Sequence, residues 1–101
     1  MALDISILDS NGRPSEVVRL TVDEHWSLFG ELDNKLTSAQ RLSDYYSEVE
    51  FSAAEIPSLI SDLEVIKTSK ATVTEAALID RLIDLALRAR ARHISIVALP
   101  D

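Results

Sequence analysis

Asn11-Gly12 sits between two stretches that alternate apolar and polar residues, and this constrains the start of the chain more tightly than any other feature. Both residues of an Asn-Gly pair accept positive φ, which a two-residue hairpin turn requires. Ahead of the pair, Leu3, Ile5 and Ile7 point one way while Asp4 and Ser6 point the other. Behind it, Val18, Leu20 and Val22 oppose Arg19 and Thr21. A period of two over runs this short predicts half-buried strands over residues 3–8 and about 15–22, joined as a hairpin. A lone hairpin cannot bury its apolar face, so the rest of the chain must supply a layer against it.

Helical periodicity supplies that layer. Asp23 is placed to cap a first helix whose apolar stripe is His25, Leu28, Phe29, Leu32 and Leu36, with Gly30 as its weak point. Ala39, Leu42, Tyr46 and Val49 predict a second, shorter helix over about 39–49. Ser52 and Glu55 have the spacing of a capping box, with Phe51 and Ile56 as its hydrophobic staple. Pro57 offers a second start for that third helix, whose buried face is Ile56, Leu59, Ile60, Leu63 and Ile66. A fourth helix over about 74–92 has a broad apolar side, including Leu78, Ile79, Leu82, Leu85, Ala86 and Ala89, which predicts the central helix. Ile94–Leu99 is apolar on nearly every residue and reads as a strand in an inner or covered position, ended by Pro100. With 101 residues, 47% of them hydrophobic and 27% charged, the chain fits one globular domain. The expected fold is a single α+β domain over 1–101: a three-stranded sheet, N-terminal hairpin plus C-terminal strand, packed on about four helices in the order β-β-α-α-α-α-β.

Charge narrows the function classes. The net charge is −7, and residues 42–66 carry Asp44, Glu48, Glu50, Glu55, Asp62 and Glu64 with no Lys or Arg. An acidic zone of this kind repels nucleic acid and anionic membrane and attracts basic proteins. The apolar runs fall far short of the roughly 20 residues that span a bilayer. The first residues, MALDISILDS, lack the basic region of a secretion signal, so a cytoplasmic location is expected. The absence of cysteine removes disulfides, thiol nucleophiles and thiolate metal sites together.

Catalytic constellations do not assemble. His25 and His93 show no metal-ligand spacing, and His93 suits the C-terminal end of a helix as a cation. Glu48/Glu50 and Asp62/Glu64 are two apart, so on a helix they diverge. No Gly-rich phosphate loop and no nucleophile elbow is present, so no enzyme activity, cofactor or metal is expected. Arg81, Arg88 and Arg92 read as a solvated face paired with Asp80 and Asp84 rather than a DNA-binding surface.

The segment from Ser43 to Phe51 is the most suggestive. It places Tyr45 and Tyr46 among carboxylates, and tyrosine is enriched where interfaces concentrate their binding energy. Tyr46 falls on the Leu42/Val49 stripe and Tyr45 off it, so Tyr45 is the better candidate for exposure. The set Asp44, Tyr45, Tyr46, Glu48 and Glu50 resembles the toxin-binding segment of immunity proteins against nuclease bacteriocins. Those proteins are all-helical, whereas this chain begins and ends with strands, so the fold does not carry over. In size, acidity and α+β pattern the chain is also similar to small bacterial immunity proteins of toxin–immunity systems. That resemblance implies a non-enzymatic protein-binding module that occludes a basic toxin or enzyme, with those five residues as partner-binding residues. The second reading is a structural or regulatory homo-oligomer, a homodimer paired through exposed strand edges or through the Ile94–Leu99 strand.

Overall fold

The computed structural model describes residues 2–9, 11–30, 32, 35–43, 48–69 and 72–100. The elements run β1 (Ala2–Leu8), β2 (Pro14–Thr21), α1 (Val22–Phe29), α2 (Thr37–Gln40), β3 (Val49–Phe51), α3 (Ile56–Ser69), α4 (Val73–Arg92) and β4 (Ile96–Pro100). The fold is α+β, with four antiparallel strands in the order β2-β1-β4-β3.

The N-terminal hairpin forms as its alternation predicts. Gly12 takes φ 76 in the turn, and the Asp9 carboxylate accepts from the Asn11 and Arg13 amides at 2.9 Å each. The ladder slips once: Ser6 faces Val17 but Ile7 faces Ser15, which leaves Glu16 as an extra residue at φ 49. This bulge aims the Glu16 carboxylate at α4, where it meets Arg88 Nε at 2.9 Å and Arg92 Nη1 at 2.5 Å. A non-glycine residue in this region costs on the order of 1–3 kcal/mol. Two half-exposed ion pairs at roughly 0.2–1 kcal/mol each offset part of that cost.

The sheet has four strands rather than three. Val49–Phe51, read from the sequence as the end of the second helix and a staple residue, is a short strand paired to β4, with Phe51 opposite Ile96. β4 is thus inner, as its two-sided apolar character predicts, with β1 on one edge and β3 on the other. It is therefore unavailable to pair with a second copy; among the described strands only β2 and β3 have a free edge. Pro100 belongs to the strand, opposite Leu3. As the last residue of the ladder it forfeits little by lacking an N–H.

Helix boundaries moved for local reasons. α1 is capped by Thr21, not Asp23: the Thr21 hydroxyl accepts from Glu24 N at 3.2 Å and the Glu24 carboxylate from Thr21 N at 2.8 Å. The helix stops at Phe29 instead of continuing to Leu36. α2 is a single turn, and just beyond it the Leu42 carbonyl accepts a hydrogen bond from buried His25 Nε2 at 2.6 Å. α3 starts at Ile56, placing Pro57 in the first turn, where no donor is missed. α4 is capped by the Thr72 hydroxyl and ended by His93 in the left-handed conformation at φ 55.

Leu3, Ile5, Ile7, Val18, Leu20, Phe51, Ile96 and Ala98 form the sheet side of one buried cluster, α1, α3 and α4 supply most of the rest, and Leu36, Ala39 and Leu42 join it from in and around α2. On the opposite face a cross-strand row passes through Val17, Ser6, Val97 and Glu50. Val97 is 6% exposed yet lies outside the core cluster, and the Ser6 hydroxyl is buried with no hydrogen-bond partner.

Gly30 is constrained by the close approach of Trp26, backbone and ring, rather than by φ. A Cβ there would lie 2.5 Å from the Trp26 carbonyl oxygen and 2.6 Å from its indole ring. Backbone and a large ring cannot both give way cheaply, so Gly30→Ala should lower unfolding stability by about 1–3 kcal/mol. Urea denaturation of the wild type and variant measures this; an unchanged midpoint would contradict the close packing of Trp26 on Gly30.

Candidate functional site

The acidic zone divides by what each carboxylate does. Asp62, half-buried on α3, accepts from Ser38 N at 2.9 Å and Ala39 N at 3.0 Å with one oxygen. It therefore caps α2, whose own residue before the helix, Leu36, has no side-chain acceptor. Glu55 accepts from Ser52 N at 3.0 Å and pairs with Arg41 at 2.5 Å. These two acids hold local structure. Glu48, Glu50 and Glu64 are exposed, and their carboxylates make no hydrogen bond or ion pair with the described residues.

Of the five residues predicted to bind a partner, Glu48 and Glu50 fall within the structure, while Asp44, Tyr45 and Tyr46 lie outside the described residues. Glu48 immediately precedes β3 and Glu50 is its middle residue. Because Val49 points toward the core, Glu50 emerges from the sheet face turned away from the helices, opposite Val97. The two acids are therefore separated by a half-buried valine on an edge strand, not displayed together on a helix.

Arg41, one residue before the acidic run, is the cation of this region. Its guanidinium lies 4.4 Å over the Phe51 ring, pairs with Glu55, and donates to the Glu50 carbonyl at 2.6 Å. That last bond covers the outward-facing carbonyl of β3. With only three residues and this arginine across it, β3 is a poor template for strand addition. The sequence segment that ends at Arg41 hid this contact, because a partner nine or fourteen residues away leaves no periodic signature.

The other candidates resolve structurally. His25 is buried, with Nε2 on the Leu42 carbonyl and its ring 5.7 Å from Phe29, so it joins α1 to the turn after α2. Asp84 pairs with Arg88 as expected, but Asp80 pairs with Lys67 of α3, and Arg92 with Glu16. Among the described residues no group of three or more His, Asp or Glu could hold a metal ion. Among them, too, no helix is long and apolar enough to cross a membrane.

Two more features depart from the sequence expectations. The Thr21-x-x-Glu24 capping box is a recognisable pattern that Asp23 obscured. Trp26, the sole tryptophan, is 65% exposed on α1, off the His25/Leu28/Phe29 stripe. Its position outside that stripe was the available signal.

Two carboxyls are held below their usual range, Asp4 chiefly by hydrogen bonds from Arg19 at 2.7 and 3.0 Å, and Glu55 chiefly by the Ser52 backbone N–H. A folded-state value below the unfolded one means stability that is present at neutral pH and lost on acidification. The loss should begin below about pH 4.5 and continue through the depressed values. Urea midpoints measured from pH 3 to 7 should fall with acid in the wild type and less steeply in Asp4→Asn/Glu55→Gln. Parallel curves would contradict these assignments. No protein-family model, curated protein or solved structure matches the chain.

Proposed function

We propose that this chain is a non-enzymatic protein-binding module of the cytoplasm that engages a basic partner, in the manner of an immunity-type inhibitor that occludes a toxin or enzyme. The observation that carries this reading is the division among the acids of residues 42–66. Asp62 and Glu55 are committed to the fold, while Glu48 and Glu50 are exposed and take no part in it. Uncommitted carboxylates on and just ahead of an edge strand raise the encounter rate with a cationic surface. Asp44, Tyr45 and Tyr46, next to Glu48 in the chain, complete the proposed binding set as flanking charge and aromatic anchors.

A second reading, a homodimer, rests on the sheet face away from the helices. Val17 is exposed there, and the Ser6 hydroxyl lacks a partner at the centre of the row. A second copy stacked on this face would cover Val17 and Leu99. Light scattering at tens of micromolar decides it: a clean monomer removes the dimer.

The binding reading is tested by affinity purification of the tagged protein from its host's lysate at low salt, with wild type beside Glu48→Lys/Glu50→Lys. The wild type should recover a basic protein in near-equal amount, lost at high salt and reduced tenfold or more in the variant. Recovery of the same partner in equal amount by both proteins would overturn the site.

A further inference from the structure

The sheet leaves one long edge open. β2 pairs with β1 on one side, and no described strand lies on the other. The bulge at Glu16 blunts the start of that edge, but from Val17 to Thr21 the pairing with β1 runs without a slip. An open groove of about 300 Å³ is lined by Glu16, Val17 and Val18 on β2 and by one stripe of α4 from Arg81 to Arg88. Val17 and Val18 point to opposite faces of the sheet, so a groove that meets both runs along the strand edge and not over one face. Its apolar lining is Val18 and Leu85, both buried, and Val17, which is 47% exposed.

Charge identifies the occupant. The ionic side chains that line the groove are Glu16, Arg81, Asp84 and Arg88, and all but Arg81 are engaged. Asp84 meets Arg88 Nη1 at 2.6 Å, and Glu16 meets both Arg88 and Arg92. The Arg81 guanidinium is exposed and makes no hydrogen bond or ion pair with the described residues. Asp80, its neighbour in sequence, pairs with Lys67 instead. The groove therefore keeps one uncompensated cation in a chain of net charge −7. Arg81 lies two turns before Arg88, roughly 10 Å along the helix axis, so a carboxylate set on it stands clear of Glu16. An open strand edge is satisfied by main-chain donors and acceptors, and a guanidinium by a carboxylate. An extended acidic chain offers both, whereas a small anion offers only the second. A second copy suits the edge less well. Its β2 carries one carboxylate, Glu16, already held by two arginines, and the copy brings a further charge of −7.

We propose that the free edge of β2 receives an extended acidic segment of a partner protein, which adds as a further strand beside Val17–Thr21 and sets a carboxylate on Arg81. The residues on either side of that carboxylate point to the other face of the sheet, where an apolar side chain covers Val17. This edge lies across the sheet from β3, prefers the opposite charge, and stands whether or not Glu48 and Glu50 bind.

Selection from a random linear heptapeptide library displayed on phage, followed by titration of the synthetic peptides, tests it. Arg81→Gln and Arg90→Gln remove the same charge from exposed positions of α4, but Arg90 does not line the groove, so diffuse attraction would weaken both equally. Enriched peptides should carry an Asp or Glu flanked by apolar or β-branched residues and bind one to one. Arg81→Gln should weaken them by about tenfold or more, and Arg90→Gln should stay within about twofold of wild type. Bound peptide should slow hydrogen exchange at amides between Val17 and Thr21. Circular dichroism checks that each variant is folded. No enrichment, enrichment of peptides without an acid, equal weakening by the two variants, or binding that leaves the β2 amides unprotected overturns the proposal. A dimer in light scattering whose formation protects those same amides also overturns it, and assigns the edge to a second copy.

Discussion

β4 is held from both sides, and the rest of the molecule is arranged around that pairing. Ile96 lies between Ile7 of β1 and Phe51 of β3, and all three are essentially inaccessible to solvent. Burying side chains of this size stabilises by roughly 1.5–3 kcal/mol each. The row does more than add area, because β1 comes from the start of the chain, β3 from its middle and β4 from its end. Loss of β4 would leave β3 without a strand to pair with and the hairpin with one edge more to protect. α4 delivers β4 to this slot: its apolar side covers the sheet, and His93 turns the chain out of the helix in the left-handed conformation.

The elements legible in the sequence are those whose signal is local. Asn-Gly between two alternating runs specified the hairpin, and a broad stripe over nearly six turns specified α4. The two-sided apolar run from Ile94 to Leu99 correctly implied an inner strand. β3 was not legible, because three residues carry no period. Val49 and Phe51 were instead absorbed into a helical stripe and a staple, both of which accept the same apolar spacing. What makes them a strand is the unfilled edge of β4, a fact of tertiary structure. Likewise α1 stops at Phe29 and α2 at Gln40, ends that no apolar stripe encodes.

The candidate site was legible as a composition and not as an arrangement. Six carboxylates in one stretch of sequence are visible on inspection, but their duties are not. Asp62 reaches across to cap α2, and Glu55 is tied to Ser52 and to Arg41, a cation from just outside the acidic run. Half-exposed pairs such as the latter contribute little energy, yet they decide which charges remain available at the surface. Glu48 and Glu50 are available because β3 places one ahead of the strand and the other on the sheet face turned away from the helices.

The carboxylates of this region therefore divide into those that hold the fold and those that are free of it. Thermal unfolding at neutral pH and low salt, compared for Glu55→Gln/Asp62→Asn and Glu48→Gln/Glu50→Gln, tests this division most directly, since each pair removes two charges from the same acidic region. The first pair should lower the midpoint by several degrees. The second should leave it unchanged or slightly raise it, as relief of repulsion in a chain of net charge −7 requires. Equal destabilisation by both pairs would contradict this division, because Glu48 and Glu50 would then be part of the structure.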